Sequence, residues 1–265
     1  MDGQSEVAAT AMNTATTTGT IDWSVRTGGH LAAAERRRLV ADIARVQVRN
    51  AVGRLSLLAH LNPGRNAYVP PAQLVPPDSP LTRAATDAAT RILPSTLLNH
   101  SYRAYRFGRA LGELEKIDVD AELLFAAALL HDTGLVVASG RDDFTLTSAR
   151  VARDVAEQPG VSTTATKTLQ TAITMHHSPR VTLAAGPVAY LLSAGASADV
   201  VGLRCWDLPR AMLADAVRDH PREGFKRFFS RAWANEAARV PGGRARLLCR
   251  YGAFTAAIAL APFDE

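Results

Sequence analysis

The stretch of sequence that decides the fold is ELLFAAALLHDTGL, which runs from Glu122 to Leu135. Its apolar run is long enough for a helix, and Asp120 before the run and Gly134 after it are typical helix start and stop residues. The run closes on His131 and Asp132, two polar groups that are costly to bury without a compensating partner. A divalent cation would be such a partner. The stretch therefore predicts a buried helix that ends in metal ligands.

Two further polar residues lie in apolar segments that are predicted to be helical. His100 precedes His131 by 31 residues, in LLNHSYRAYRFG, and Asp199 follows Asp132 by 67 residues, in LLSAGASADVVG. An adjacent His and Asp alone also occur at solvated helix ends, so these additional residues carry the interpretation. In the order H, HD, D, the four residues resemble the ligand set of the HD-domain superfamily of metal-dependent hydrolases. The resemblance implies four metal ligands: His100, His131, Asp132 and Asp199.

A closer resemblance, over about half of the chain from Pro77 to Gly202, is to the cyanamide-hydratase-like branch of that superfamily. It is carried by the segments PDSPLTRAATDAATRILPSTLLNHSYRAYRFG, LLFAAALLHDTGL, AITMHHSP and SAGASADVVG. The resemblance implies an all-α fold, a single-domain HD-type helical bundle. The composition, with 47% hydrophobic and 6% aromatic residues, also favours a helical bundle over a sheet protein.

The 265-residue chain is predicted to consist of a tail and one domain. Residues 1–20 are rich in Thr, Ala and Ser without periodicity, which is typical of a disordered tail. Residues 21–265 are expected to form a single HD-domain helical fold, with its core at about 77–202 and flanking helices on both sides. The prolines between Asn62 and Pro80 exclude a long helix there and predict a surface connection.

Capping residues, prolines and glycines predict where the helices begin and end. A loop is expected over 136–147, and the aromatic residues between 225 and 233 are expected in the core or at a dimer contact. The predicted helices cover one or two segments within 30–61, then 80–92, a segment starting at 95, the segment around 121–132, 148–157, 164–176, a segment starting at 187, 208–219, 222–238 and 244–261.

The predicted ligand set suits one divalent metal ion. Two imidazoles and two carboxylates favour Zn, Fe(II) or Mn over calcium. Two carboxylates largely neutralise the ion and leave positions open for water and substrate, as a catalytic site requires. Such an ion lowers the pKa of its bound water towards about 7, so bound hydroxide is the candidate nucleophile. Asp132 is therefore predicted to be catalytic as well as a ligand.

His176, in MHHSP, is the second predicted catalytic residue. In the branch that the chain resembles, a histidine falls at the matching place. Three roles for it stay open: proton shuttle, metal ligand and structural helix end. His177 is offset by about 100° on a helix, so the two histidines are not expected to reach the same ion.

Two residues beside His100 are predicted to bind substrate, Asn99 and Arg103. Arg103 lies one turn from His100 and would approach an anionic group of the substrate. The alternative is that Arg103, Arg106 and Arg109 form a solvent-exposed basic stripe.

Three functions follow from the residues and the resemblance. The first is a metal-dependent hydratase or hydrolase, specifically a cyanamide hydratase-like hydro-lyase that uses metal-bound hydroxide to convert cyanamide to urea. The second is an HD phosphohydrolase acting on a nucleotide or another phosphoester, with Arg103 or Arg106 on the phosphate. The third is a non-catalytic metal-binding scaffold. Nucleotide-cleaving HD proteins often carry an acid or a lysine shortly after the HD pair, and Thr133 and Gly134 stand there instead, which disfavours a nucleotidase.

Composition limits the expected partners and compartment. The formal charge of +5 and the pI of about 9.6 raise nucleic acid and anionic membranes as partners. The basic residues are spread out and no nucleic-acid motif accompanies them, so neither partner is expected. The two cysteines show no metal or disulfide spacing, and no signal peptide or apolar span is recognisable. We expect a cytoplasmic protein with a small-molecule substrate, and self-association into a homo-oligomer stays open.

Overall fold

The computed structural model describes residues 17–264, and all regular secondary structure within that range is helical. The all-α fold class is therefore confirmed. The α-helices are α1 Ile21–Thr27, α2 Ala33–Leu58, α3 Pro80–Ile92, α4 Ser95–Glu115, α5 Ala121–Leu130, α6 Gly134–Val137, α7 Phe144–Glu157, α8 Thr163–Met175, α9 Pro187–Val201, α10 Arg210–Asp219, α11 Phe225–Arg239, α12 Arg244–Tyr251 and α13 Phe254–Ala259.

Some helix starts follow the capping residues of the sequence. Asp120 caps α5 by accepting a hydrogen bond from the Leu123 amide at 3.0 Å. Ser79 accepts one from the Thr82 amide at 3.2 Å, with Pro80 at the first position of α3. The proline-rich connection contains only two short 3₁₀ turns, Pro63–Asn66 and Pro71–Leu74, as the prolines predicted.

Several predicted boundaries were wrong. Helix α11 begins at Phe225 rather than at residue 222, and helices α1 and α6 were not predicted, α6 lying partly in the expected loop over 136–147. Helix α7 begins at Phe144 rather than at residue 148. The carboxylate of Asp143 accepts a hydrogen bond from the Thr145 amide at 3.0 Å and so caps the helix earlier. The expected helix over 244–261 is split into α12 and α13 at Gly252 and Ala253. Ala253 has a φ of 45°, a left-handed conformation that interrupts a right-handed helix.

Helix α5 lies at the centre of the bundle. Every residue from 123 to 130 is buried, so the helix has no polar face to turn towards solvent. Helices α3, α4, α7, α8 and α9 pack around it. The end of α5 consequently delivers His131 and Asp132 to the interior.

Helices α4 and α9, which carry His100 and Asp199, cross at very short range. A Cβ atom on Gly195 would lie 2.0 Å from the backbone oxygen of Ala104, and one on Gly108 would lie 2.7 Å from the backbone oxygen of Leu191. Neither backbone atom can rotate away as a side chain can. The two glycines therefore set the distance between these helices.

We expect Gly195→Ala to lower the free energy of unfolding by about 2 kcal/mol, because the added methyl group pushes α9 away from α4. Gly112→Ala in α4 is a matched control, since its Cβ would meet only the end of the Leu191 side chain at 2.9 Å. Urea denaturation of both variants measures the difference. Equal stabilities for the two variants would contradict the tight crossing.

The remaining chain surrounds this core. The buried apolar cluster extends from Ile21 in α1 to Ile258 in α13. Of the tail predicted over 1–20, residues 1–16 lie outside the described part, while Thr20 caps α1. Among the helices within residues 17–264, none combines the length and the apolar character that crossing a bilayer requires.

Candidate metal centre

Three of the predicted ligands lie together in the interior. His100 is in the second turn of α4, and His131 and Asp132 directly follow α5. The Nε2 atoms of His100 and His131 are 3.2 Å apart. Oδ2 of Asp132 lies 3.3 Å from Nε2 of His131 and 3.6 Å from Nε2 of His100. All three residues are fully buried, and one ligand atom from each could reach a single ion.

Hydrogen bonds fix how the two imidazoles face each other. Nδ1 of His131 lies 2.7 Å from the backbone oxygen of Ala128, and Nδ1 of His100 lies 2.7 Å from Oδ2 of Asp199. Both partners accept, so each Nδ1 carries the proton. In the neutral rings both Nε2 atoms then present lone pairs to the same space. Two lone pairs at 3.2 Å repel each other unless a cation lies between them.

Asp132 adds a negative charge to this space. Within residues 17–264, neither of its oxygens has a hydrogen-bond partner of good geometry, although both are buried. Burial raises the pKa of Asp132, but the charges of His131 and His100 lower it by more, so the net pKa lies below its usual range. A buried, ionised and unpartnered carboxylate beside two imidazole lone pairs fits a divalent cation.

The pKa of His131 also indicates a cation at this place. Burial lowers the pKa of His131, but the nearby charge of Asp132 raises it more, so its net pKa lies above the ordinary value. The pocket therefore favours a positive charge at this place. Either a proton or a metal ion can supply it.

Comparison with known proteins identifies the surrounding domain. Residues 97–224 match the family model described as the HD domain. This stretch is an HD domain. HD domains bind divalent metals and are generally metal-dependent hydrolases, and the His–His–Asp group is the part of this one that could hold the ion.

Two curated relatives are similar over a shorter stretch. They are the cyanamide hydratases DDI2 and DDI3 of Saccharomyces cerevisiae, each 35% identical over 69 residues. That stretch is 25% of this chain and 31% of either relative, so the match spans about a third of their length.

The structure places Asp199 of the HD domain behind His100 and outside the group of ligand atoms. Its Oδ2 contacts Nδ1 of His100, on the side of the ring opposite to Asp132. Both its oxygens also bind arginines: Arg103 at 2.8 and 2.9 Å and Arg222 at 2.6 Å. Asp199 therefore holds His100 in orientation instead of occupying the predicted fourth ligand position.

The predicted substrate-binding residues point elsewhere as well. Arg103 is fully buried, and its Nη1 donates to the backbone oxygens of His220 and Pro221 while Nε and Nη2 donate to Asp199. Asn99 donates to the Pro221 backbone oxygen at 3.0 Å. Four of the five N–H donors of Arg103 are therefore used inside the protein, and the buried side chain does not line the cavity beside the centre. It is also not part of an exposed stripe.

His176 approaches the centre from the end of α8. Its Nε2 lies 3.6 Å from Oδ1 of Asp132, and its ring centre is 4.7 Å from that of His131. Its Nδ1 donates to the backbone oxygen of Ile173 at 2.7 Å. Burial, followed by the charge of His131, holds its pKa well below the usual value, so Nε2 is a free base near neutral pH. His177 turns away, with Nε2 3.5 Å from Oδ2 of Asp143.

Residues that the sequence interpretation treated as packing also belong to the centre. Arg222, just before α11, binds Asp199, and no motif signals this contact. Phe225 stacks on His100 with ring centres 5.0 Å apart, and Phe229 lies 5.7 Å from the same ring. The spacing of Phe225, Phe229 and Trp233 at every fourth residue does signal one helix face. These three are buried, as expected for a core position, whereas Phe228 is 36% exposed.

A cavity of about 190 Å³ leads to this centre. His100, His131, Asp132 and His176 line its buried end. Its other walls come mainly from α2, α9, α11 and the two short C-terminal helices, and most of their side chains are apolar. The centre is thus reached through a mostly apolar space.

We expect Asp132→Asn to lose stoichiometric metal, because the substitution removes the ionised ligand. Asp199→Asn should keep the metal with an affinity about 10-fold to 100-fold lower, because Asp199 acts through His100. Metal content after dialysis and metal titration measure both effects, with circular dichroism to check folding. Equal and complete loss in the two variants would show that Asp199 is a ligand.

Arg103→Met should destabilise the protein by about 3 kcal/mol, because it breaks a buried ion pair. Arg106→Met removes a partly exposed pair with Asp219 and should cost less than about 1 kcal/mol. Chemical denaturation distinguishes the two variants. A stable Arg103→Met protein with impaired substrate affinity would instead support the sequence prediction of substrate binding.

Proposed function

We propose that this protein is a metal-dependent hydratase that adds water to a small nitrile, with the conversion of cyanamide to urea as its reaction. The observation that carries the proposal is the unpartnered carboxylate of Asp132. It faces Nε2 atoms of three histidines at the buried end of a largely apolar cavity. The partial similarity to two cyanamide hydratases supports the choice of reaction.

In this proposal His100, His131 and Asp132 hold one divalent ion, Zn, Fe(II) or Mn. When bound, such an ion activates water and polarises the nitrile. Asp132 contributes the negative charge that neutralises it, and Asp199 keeps the Nδ1 proton of His100 in place. The phenyl rings of Phe225 and Phe229 exclude water from the far side of His100.

His176 is the residue that we propose moves the proton. Hydration forms a C–O bond and converts the carbon–nitrogen triple bond into a C–NH2 group, so two protons pass from water to the nitrile nitrogen. No electrons are exchanged. Because Nδ1 of His176 is committed to Ile173, Nε2 is the atom that accepts a proton from water and returns it to nitrogen.

The cavity walls favour a neutral substrate over a phosphoester. Of the two residues that would have bound a phosphate, Arg103 is bonded to Asp199 and two backbone oxygens and Arg106 is paired with Asp219, and neither lines the cavity. A phosphoester at the buried end would lose its hydration against mostly apolar walls. The lining Arg49 and Arg180 are exposed, and the lining Arg204 is paired with Glu115 and Asp207. Phosphohydrolase activity and a non-catalytic scaffold become outcomes of the experiment below.

The test is urea formation from cyanamide by protein loaded in turn with Zn, Fe(II) and Mn. We expect turnover in the wild type and none in Asp132→Asn. His176→Gln should lower kcat by about 10²-fold to 10⁴-fold, because a general base is lost. His60→Gln, at an exposed position outside the cavity, is the matched histidine control and should retain wild-type rates.

The contrary result is also informative. Protein that holds one metal per chain and forms no urea would overturn the proposed reaction. Release of inorganic phosphate from phosphoesters would then identify a phosphohydrolase. Bound metal without turnover on either substrate class would identify a scaffold.

A further inference from the structure

The cavity beside the metal centre is larger than cyanamide requires. Its volume is about 190 Å³. An engineered apolar cavity of roughly 150 Å³ is large enough to bind benzene, which has six non-hydrogen atoms. Cyanamide has three. A cyanamide molecule at the His–His–Asp group would leave most of the space to water.

Helices α2 and α9 contribute many of the residues that line this cavity. On α2 the lining residues include Ile43, Val46 and Asn50, which recur at helical spacing and share one face. On α9 the lining residues include Ser193 and Val200, one helical face again. The cavity is therefore bounded by one face of α2 and one face of α9.

Polarity along the cavity is uneven. The histidines and Asp132 stand at the buried end, whereas Arg49 and Arg180 are exposed lining residues and mark where the space meets solvent. Apolar side chains, including Ile43 and Leu248, make up much of the remaining wall. Water gains few hydrogen bonds along such walls, so an apolar group displaces it favourably.

We propose that the substrate of this centre carries an apolar body of about six or more non-hydrogen atoms, which lies between α2 and α9 while its nitrile carbon reaches the His–His–Asp group. The chemical class is an N-substituted cyanamide or another nitrile with an apolar substituent. This inference rests on the proposed function, because the reacting group is taken from it. The length and apolar character of the body come from the cavity itself.

The first measurement is the binding of product analogues, which does not depend on turnover. N-propyl-, N-butyl-, N-pentyl- and N-hexylurea are titrated into metal-loaded wild-type protein by calorimetry. We expect the dissociation constant to fall about threefold to fourfold for each added methylene group, the value for transfer of that group from water to an apolar site. A dissociation constant that stays constant along the series would overturn the inference.

Two variants on one helix then locate the binding. Val46→Trp fills the cavity from α2 and should abolish the dependence on chain length. Val48→Trp makes the same substitution two residues away, at a side chain that is 66% exposed and outside the cavity, and should keep the dependence. Thermal unfolding checks that both variants fold. A dependence on chain length that persists in Val46→Trp would place the binding elsewhere and overturn the inference.

The same protein is assayed for hydration of cyanamide and N-hexylcyanamide, which separates the two proposals. Urea formation together with constant alkylurea affinities would retain the hydratase and reject the apolar substrate body. Affinities that rise with chain length, without hydration of either cyanamide, would retain the cavity assignment and reject the reaction. Faster hydration of N-hexylcyanamide than of cyanamide at low substrate concentration is the result that supports both.

Discussion

Asp132 places an ionised carboxylate in the middle of a helical bundle, and the rest of the centre is arranged around the charge that it requires. Within the described residues its oxygens have no hydrogen-bond partner of good geometry. Backbone oxygens of Ala128 and Ile173 hold the Nδ1 protons of His131 and His176, so the Nε2 atoms face the carboxylate. A divalent cation satisfies the carboxylate and the imidazole lone pairs together, which a proton can do only in part.

Charged side chains behind the candidate ligands hold those ligands in place. Asp199 orients His100, and Arg103 and Arg222 neutralise Asp199 in turn. The Arg103 guanidinium also binds the backbone of His220 and Pro221, which links α4 and α9 to the connection between α10 and α11. On the other side, Asp143 caps α7 and lies between His177 and Arg244. Arg222 and Arg244, which follow residues 77–202 in the chain, thus help to hold the histidines of the centre in position.

Much of the fold could be predicted because helix formation is largely local. The apolar run before His131, the cap at Asp120 and the prolines before α3 each act within a few residues, and the helices they predicted are present. The boundary errors at α7 and α12 arose where a single residue decided the outcome, the Asp143 cap and the left-handed Ala253. Neither residue type is restricted to these conformations, so the sequence did not distinguish them.

For the centre, the sequence by itself determined that an all-α chain would bury His100, His131 and Asp132, because each stands in a segment too apolar to remain in water. Only the tertiary structure decided that Asp199 lies behind His100 and that Arg103 forms an ion pair with Asp199. Those contacts join residues 96 to 99 positions apart. They depend on the close crossing of α4 and α9 at Gly108 and Gly195. The spacing of ligands along the chain shows which side chains are available, whereas the side of an imidazole that a carboxylate meets is fixed by how the helices pack.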